Sequence, residues 1–444
     1  MKNSRENFGS RIAVVLAMAG SAIGLGNIWR FPYLVGQNGG AAFVIVYILA
    51  CAILALPIFF AESIIGRRGR GNTFGAMKRL APGTRWKWVG LLTVLTPVIL
   101  LGYYSVVGGW SVDYFWKACT GAFSEDPRGL FGGFISKTWE PLAAHTIFIV
   151  ITALIILLGV KKGIEKFSKV AMPLLFVLIV VIAVYGLSLP GAFKGVEYLV
   201  KPDFTRLGPG SVAAAMGQAF FSMSLGVGTI LTYASYSPEE ESLLGSGIGT
   251  AVSDLLFALL AGFAVMPAVF SAGIAPSEGP GLVFDTLPYI FNRMHSVAGG
   301  IVSILFFVTV LVAALTSSIS LLEVGVAFLS EERGMSRTKS TVLLAVLVWA
   351  VGIVCSLSFG PLAGVKIIGL TFFDLLDKLC SLVLMPLGGL LFVLFVGWKM
   401  SKADVRDEFT SGSKLNTRAF EAVYFLIRYV APVGIVIVSV TAII

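Results

Sequence analysis

Charge is what this sequence has least of. Asp, Glu, Lys and Arg make up 13% of its 444 residues while 57% are hydrophobic, too little polar surface to clothe a soluble globule of that length. Histidine is nearly absent: His145 and His295 stand alone near the ends of apolar runs, so the usual general base is scarce. Neither HExxH nor GxSxG occurs, and an intramembrane enzyme is not expected. The four cysteines, Cys51, Cys119, Cys355 and Cys380, are scattered without paired spacing, which supports neither a disulfide framework nor a zinc site. Ten-residue stretches of period-two alternation are lacking as well, and with them the case for a transmembrane barrel. No small-residue cleavage site follows the first apolar run, so that run is expected to stay in the mature chain.

What the sequence has in abundance is apolar runs long enough to cross ~30 Å of hydrocarbon. They recur at 11–35, 41–66, 88–118, 141–160, 166–190, 212–236, 245–274, 297–330, 339–360, 367–398 and 419–443, and mean hydropathy is +0.91. The reading is an all-α integral membrane protein with eleven transmembrane helices. With the N-terminus cytoplasmic, the inner segments collect Lys2, Arg5, Arg67, Arg68, Arg70, Lys78, Arg79, Lys161, Lys162, Lys166, Lys169, Arg333, Arg337, Lys399 and Lys402 among others. The outer ones hold only Arg128, Lys137, Lys194, Lys201, Arg206, Arg293 and Lys366. This asymmetry places the N-terminus inside and the C-terminus outside the cell's inner (plasma) membrane. The same sorting accounts for the net charge of +9; the lipid bilayer is the expected surrounding, and no nucleic-acid partner is expected. Outer loops near 119–140, 191–211 and 275–296 are long enough to be lids or plain connectors.

One run is unlike the rest. GSAIGLGNIWRFP, residues 20–32, puts three glycines, an asparagine, an arginine and a proline inside a span. Each glycine costs a helix about 1 kcal/mol relative to alanine, so Gly20, Gly24 and Gly26 weaken the hydrogen-bond ladder at its centre. Carbonyls freed there need a partner. A dehydrated alkali ion is one, with the amide oxygen of Asn27 as a further hard ligand. The amides opening the next half-helix favour an anion such as a carboxylate. Taken alone, Gly20 and Gly24 also fit a Gly-xxx-Gly packing face, but that leaves Asn27 and Arg30 unexplained. An echo, SLGVG at 224–228, lies five spans further on. Five is odd, so the second unit enters the bilayer upside down, the inverted-repeat pattern of secondary transporters whose unwound centres mark the binding site. The expected organisation is a first repeat at 1–195, a second at 196–400, and an inner loop with the eleventh span at 401–444.

Other polar residues interrupt the spans. Thr316, Ser317, Ser318 and Ser320 cluster in LVAALTSSISLLE (311–323), Tyr103 and Tyr104 are adjacent, and Asp374 and Asp377 share a helical face. Ser318 fits equally well a serine bonded back to its own helix. Asp254 is an isolated carboxylate in hydrocarbon and is read as functional.

Three blocks, AMAGSAIGLGNIWRFPYLVGQNGGAAF (17–43), GQAFFSMSLGVGTILTYASY (217–236) and ALTSSIS (314–320), resemble the neurotransmitter:sodium symporter family. The likeness is to its prokaryotic amino-acid transporters of the bacterial leucine transporter type, in the eleven-span subgroup, and it covers nearly the whole chain. It implies two inverted five-helix repeats with broken first and sixth helices, one extra helix, and sodium-coupled amino-acid import by alternating access. It further implies one sodium on the Ala22 carbonyl, Asn27, Ser222, Asp254 and the substrate carboxylate. A second would sit on carbonyls of Gly20, Ile23 and Ala313 with the hydroxyls of Thr316 and Ser317. The substrate carboxylate would lie by Leu25, Gly26 and Tyr104, and its amine by Ala22, Phe221, Ser222 and Ser224. Gly24, Leu100, Met223, Val227, Ser317, Ser320 and Leu321 complete the implied substrate site. Arg30 with Asp377 and the Phe221 ring would form an outer gate, and Arg5 with Glu331, near Tyr236, an inner one.

Four positions depart from the family pattern. Asp254 stands where many members have Asn, and Ala258 where chloride-dependent members place a serine. A fixed carboxylate beside sodium supplies the charge that chloride gives elsewhere, so no chloride requirement is expected. Gly24 replaces the acidic residue of monoamine carriers, which favours a ligand bringing its own carboxylate. Val227 replaces a phenylalanine of the leucine transporter, and a roomier pocket for a hydrophobic, bulky or aromatic amino acid is expected. Rival readings are a proton-coupled carrier titrating at Asp254, and a channel or sensing receptor.

Overall fold

A computed structural model describes residues 6–123, 129–238, 241–273, 281–293, 297–410 and 417–443. Among them every regular element is a helix. The chain opens with α1 (Arg11–Ala22) and α2 (Gly26–Gln37), a pair bent by 53° at Ile23, Gly24 and Leu25. Three long helices follow, α3 (Ala41–Gly69), α4 (Lys87–Thr120) and α5 (Trp139–Leu157), and then α6 (Val160–Leu187). A second interrupted pair is α7 (Pro209–Ser222) and α8 (Thr229–Ser235). The remainder are α9 (Leu243–Ser271), α10 (Ala298–Glu332), α11 (Arg337–Leu357), α12 (Phe372–Lys399), the short α13 (Lys402–Thr410) and α14 (Ala419–Thr441). Nine helices among the described residues are long and apolar enough to cross a membrane, ten spans if the bent pair is counted as one.

The first break follows from its residues. Ser10 caps α1 by accepting the Ala13 N–H at 3.2 Å, and the helix runs to Ala22. Ile23 then turns extended (φ −72°, ψ 110°), and the Gly24 N–H leaves the ladder for the Asn27 side-chain oxygen at 3.0 Å. Asparagine competes with the backbone in this way, and it does so where glycine has already weakened the helix. Gly20 stays helical in α1, so the interruption is narrower than the glycine spacing suggests.

The second break is sharper. Ser224, Gly226 and Gly228 all adopt left-handed φ, at 52°, 81° and 72°, a region glycine enters without strain. Gly226 is required twice over, because a Cβ there would lie 2.0 Å from the Met385 carbonyl oxygen. α1 packs between α6, α9 and α10, α8 packs against α3, and α4 packs extensively against α10. Both breaks therefore sit inside protein, where irregular backbone is tolerated at membrane depth.

Asp374 belongs to this architecture rather than to a site. Thr371 caps the start of α12 by accepting the Asp374 N–H and donating its hydroxyl to the Asp374 carboxylate at 2.7 Å. Ser318 likewise bonds back to the Leu315 carbonyl at 3.0 Å and pairs with Thr152.

Candidate functional site

The two breaks face each other. Ser224 Oγ donates to the Ser21 carbonyl at 2.7 Å, and Gln218 Nε2 donates to the Gly26 carbonyl at 3.0 Å. Between them lies a cavity of about 40 Å³. It is lined by Ala22, Gly24, Leu25, Gly26, Leu100, Tyr104, Phe221, Ser222, Ser224, Val227, Ser317 and Leu321, with Met385 from α12. Twelve of the fourteen residues expected to contact substrate thus share one wall. Met223 and Ser320 do not line it: Met223 is fully buried, and Ser320 lies against α1, accepting from Ser21 Oγ at 2.9 Å and donating to the Ser317 carbonyl at 2.8 Å. Among the described residues the buried Tyr104 hydroxyl has no hydrogen-bond partner, which leaves a donor for whatever enters the cavity.

Two clusters of oxygen atoms flank this space. In the first, Asp254 is 1% exposed and accepts from Asn27 Nδ2 at 2.7 Å, from Ser222 Oγ at 2.9 Å to each carboxylate oxygen, and from Tyr47 OH at 3.3 Å. Asn27 Nδ2 also reaches Ser222 Oγ at 3.0 Å. α2, α7 and α9 therefore deliver three of the expected ligands to one point. In the second, Thr316 Oγ1 donates to the Ala313 carbonyl at 2.8 Å and to the Ile23 carbonyl at 3.2 Å. Gly20 lies against Thr316, within 3.5 Å of its Cβ for an added methyl, and Ser317 Oγ is 3.5 Å from the Ser21 carbonyl. Among the described residues no three His, Cys, Asp or Glu side chains cluster as a metal site. The donor sets are hydroxyls, amides and carbonyls with at most one carboxylate, chemistry suited to a hard alkali ion and unsuited to a transition metal.

A second cavity of about 240 Å³ lies outside Phe221, lined among others by Arg30, Tyr103, Tyr104, Phe373 and Asp377. The Arg30 guanidinium sits over the Phe221 ring, 4.8 Å from its centroid, an arrangement that favours the cation over the ring face. Arg30 and Asp377 face the same cavity, and among the described residues no ion pair within 4.0 Å joins them. Trp110 stacks on Phe373 and meets Phe131 edge-on, and Phe131 stacks on Phe284. The segments following α4 and α9 therefore pack, through Trp110, against Phe373 in the lining of this cavity.

Of the expected inner gate, Arg5 lies outside the described residues. Glu331 accepts from the Asn72 backbone and side-chain amides at 2.7 and 3.0 Å. Tyr236 donates to Glu323 at 2.8 Å, and Arg337 holds that fully buried carboxylate at 2.6 Å. Phe8 packs edge-on against Tyr233 and Tyr236.

Sequence reasoning passed over Glu62. It is fully buried in α3 and accepts the Gly226 N–H at 2.6 Å, tying the second break to the scaffold. Its signal was present, since a lone carboxylate in the apolar run FFAESIIG stands out as Asp254 does. Glu323, alone in the apolar run SLLEVGVAFL, carries the same mark, whereas Tyr47, Gln218 and Met385 carry none.

Paired interrupted helices around a polar cavity deep in a helical bundle are the arrangement of secondary transporters, and this chain is of that class. The matching family model, described as the sodium:neurotransmitter symporter family, covers residues 5–125 and 135–444; the chain belongs to that family. A sodium-dependent transporter of Bacillus subtilis (strain 168), YhdH, is 40% identical over 433 residues, 97% of this chain and 96% of that one. A sodium-dependent transporter of Haemophilus influenzae is 33% identical over 98% of each chain. The crystal structure of MhsT in complex with L-phenylalanine matches with a TM-score of 0.91 and 42% identity, covering 99% of this chain and 100% of that one.

Proposed function

We propose that this protein is a sodium-coupled, chloride-independent symporter that imports a hydrophobic, bulky or aromatic L-amino acid by alternating access. The observation that carries the reading is the convergence of both helix breaks on one cavity beside the Asp254–Asn27–Ser222 cluster. The relation to MhsT, crystallised with L-phenylalanine, supports the substrate class. In this reading one sodium is held by Ala22, Asn27, Ser222, Asp254 and the substrate carboxylate, and the other by Gly20, Ile23, Ala313, Thr316 and Ser317. Coupling is direct, because the cargo's acid group completes an ion's coordination shell. Asp254 supplies the fixed negative charge and fully buried Ala258 offers no hydroxyl to an anion, which supports independence from chloride. The interrupted pairs count as the first and sixth of eleven spans in two inverted repeats, in the inner membrane with the N-terminus inside. Arg30, Asp377 and Phe221 gate the outside, and Arg5 with Glu331, near Tyr236, the inside.

Two sodium ions with a zwitterion carry two net charges, and each gains ~2.3 kcal/mol per 100 mV, enough for concentrative uptake. The test is labelled L-phenylalanine, L-tryptophan and L-leucine uptake into proteoliposomes at fixed pH. Uptake is expected with an inward sodium gradient, is lost with potassium, and is unchanged with gluconate for chloride. Equal uptake in potassium would defeat sodium coupling, and a large loss in gluconate would defeat chloride independence.

A further inference from the structure

We infer that Met385 is a specificity-determining residue whose side chain sets how large an amino-acid side chain the central cavity accepts. The inference rests on the amino-acid reading above. The cavity measures about 40 Å³, against about 240 and 250 Å³ for the two cavities beside it, so a bulky side chain needs a wall that yields. Leu25, Leu100, Val227 and Leu321 are all buried and backed by the core. Met385, 2% exposed, is buried in the same core, but open space adjoins it. A lateral cavity of about 250 Å³ lies there, with Ala213, Ala214, Gly217, Leu382, Ile435 and Val438 in its lining.

Phe221 and Met385 are the two residues that border both the central and the lateral cavity. Phe221 also borders the outer cavity, under Arg30, so moving it opens the site outward. Met385 separates only the central and lateral spaces, and its displacement exchanges volume between them.

The backbone of Met385 is anchored while its side chain is adaptable. Its N–H closes a π turn onto the Cys380 carbonyl, Pro386 follows, and its own carbonyl packs so closely on Gly226 that no Cβ fits between. Beyond that fixed backbone is an unbranched thioether, the side chain best suited to refill irregular apolar space. Swung into the lateral cavity, it leaves room for an aromatic ring and strands no polar group.

The test measures dissociation constants of L-alanine, L-leucine, L-phenylalanine and L-tryptophan in sodium for the wild type, Met385→Phe and Met385→Ala. Met385→Phe is expected to weaken tryptophan relative to alanine by at least about tenfold, the discrimination a few methylenes of pocket space provide. Met385→Ala should shift the same ratio the other way, by roughly threefold or more. A ratio that neither variant moves, or four affinities weakened alike, would overturn the inference, since mere structural support does not distinguish ligand sizes. If one variant does not fold, the other decides, because the two shifts have opposite sign. Absence of sodium-dependent binding of any of the four to the wild type refutes the proposed function and this inference with it; an unmoved ratio beside intact wild-type binding refutes only the role of Met385.

Discussion

Asp254→Asn isolates the electrostatic core of the proposed site. The substitution keeps the volume of a side chain that is 1% exposed and removes one negative charge. Asn27 Nδ2 and Ser222 Oγ both lie within 3.0 Å of the carboxylate, so a cation on the oxygens of Asn27 and Ser222 is a near neighbour of that charge. A unit pair about 4 Å apart at an effective dielectric of ~20 interacts by ~4 kcal/mol. At ~1.4 kcal/mol per decade, half-saturating sodium should rise roughly a thousandfold. The sodium-free protein should respond in the opposite direction, because an amide is less costly to bury than an unpaired carboxylate. Thermal unfolding in NaCl and KCl at constant ionic strength reads both effects. Stabilisation by a ligand at 100 times its Kd is about 2.7 kcal/mol per site; in the variant the share of this site should fall nearly to nothing, leaving that of the second sodium, while melting in KCl holds or rises. A variant that melts lower in both salts would indicate general damage. Half-saturating sodium within about threefold of the wild type would refute the assignment of Asp254 to the ion, since the Coulomb estimate leaves no room for so small a change.

Two further outcomes follow from the packing. Gly24→Ala puts a Cβ 2.4 Å from Ser317 Oγ and 3.5 Å from the Tyr104 hydroxyl, inside the central cavity. Overpacking of this kind costs about 1–3 kcal/mol, so amino-acid affinity in saturating sodium should drop about ten- to a hundredfold, and an unchanged affinity would place the substrate elsewhere. Arg337→Ala leaves the buried Glu323 carboxylate without its charge partner and should cost about 3–5 kcal/mol of stability. Adding Glu323→Gln should restore most of the melting temperature, and a double variant no better than the single one would show that the loss is not that of an uncompensated charge.

What was legible in the sequence is what hydrocarbon demands locally. A span needs a long apolar run, and a break in hydrocarbon needs residues that abandon the helix, so both the runs and the two glycine-rich interruptions stood out. Asp254 stood out for the same reason. The partners did not, because they lie far along the chain: Glu62 and Gly226 are separated by 164 positions, Asn27 and Asp254 by 227. Each break is satisfied largely from elsewhere, through Ser224 to the Ser21 carbonyl, Gln218 to the Gly26 carbonyl, Glu62 to the Gly226 amide and Thr316 to the Ile23 carbonyl. The sequence can mark where a helix weakens, but only the fold shows what the weakened backbone bonds to. In the proposed alternating-access cycle, these long-range bonds are candidates to exchange when one broken helix moves against the other. At about 0.5–1.5 kcal/mol net each, the set amounts to a few kcal/mol, the scale at which ligand binding redistributes two states. On the proposed mechanism, breaks cross-bonded by single hydroxyls and amides are weak enough for sodium and an amino acid to rearrange.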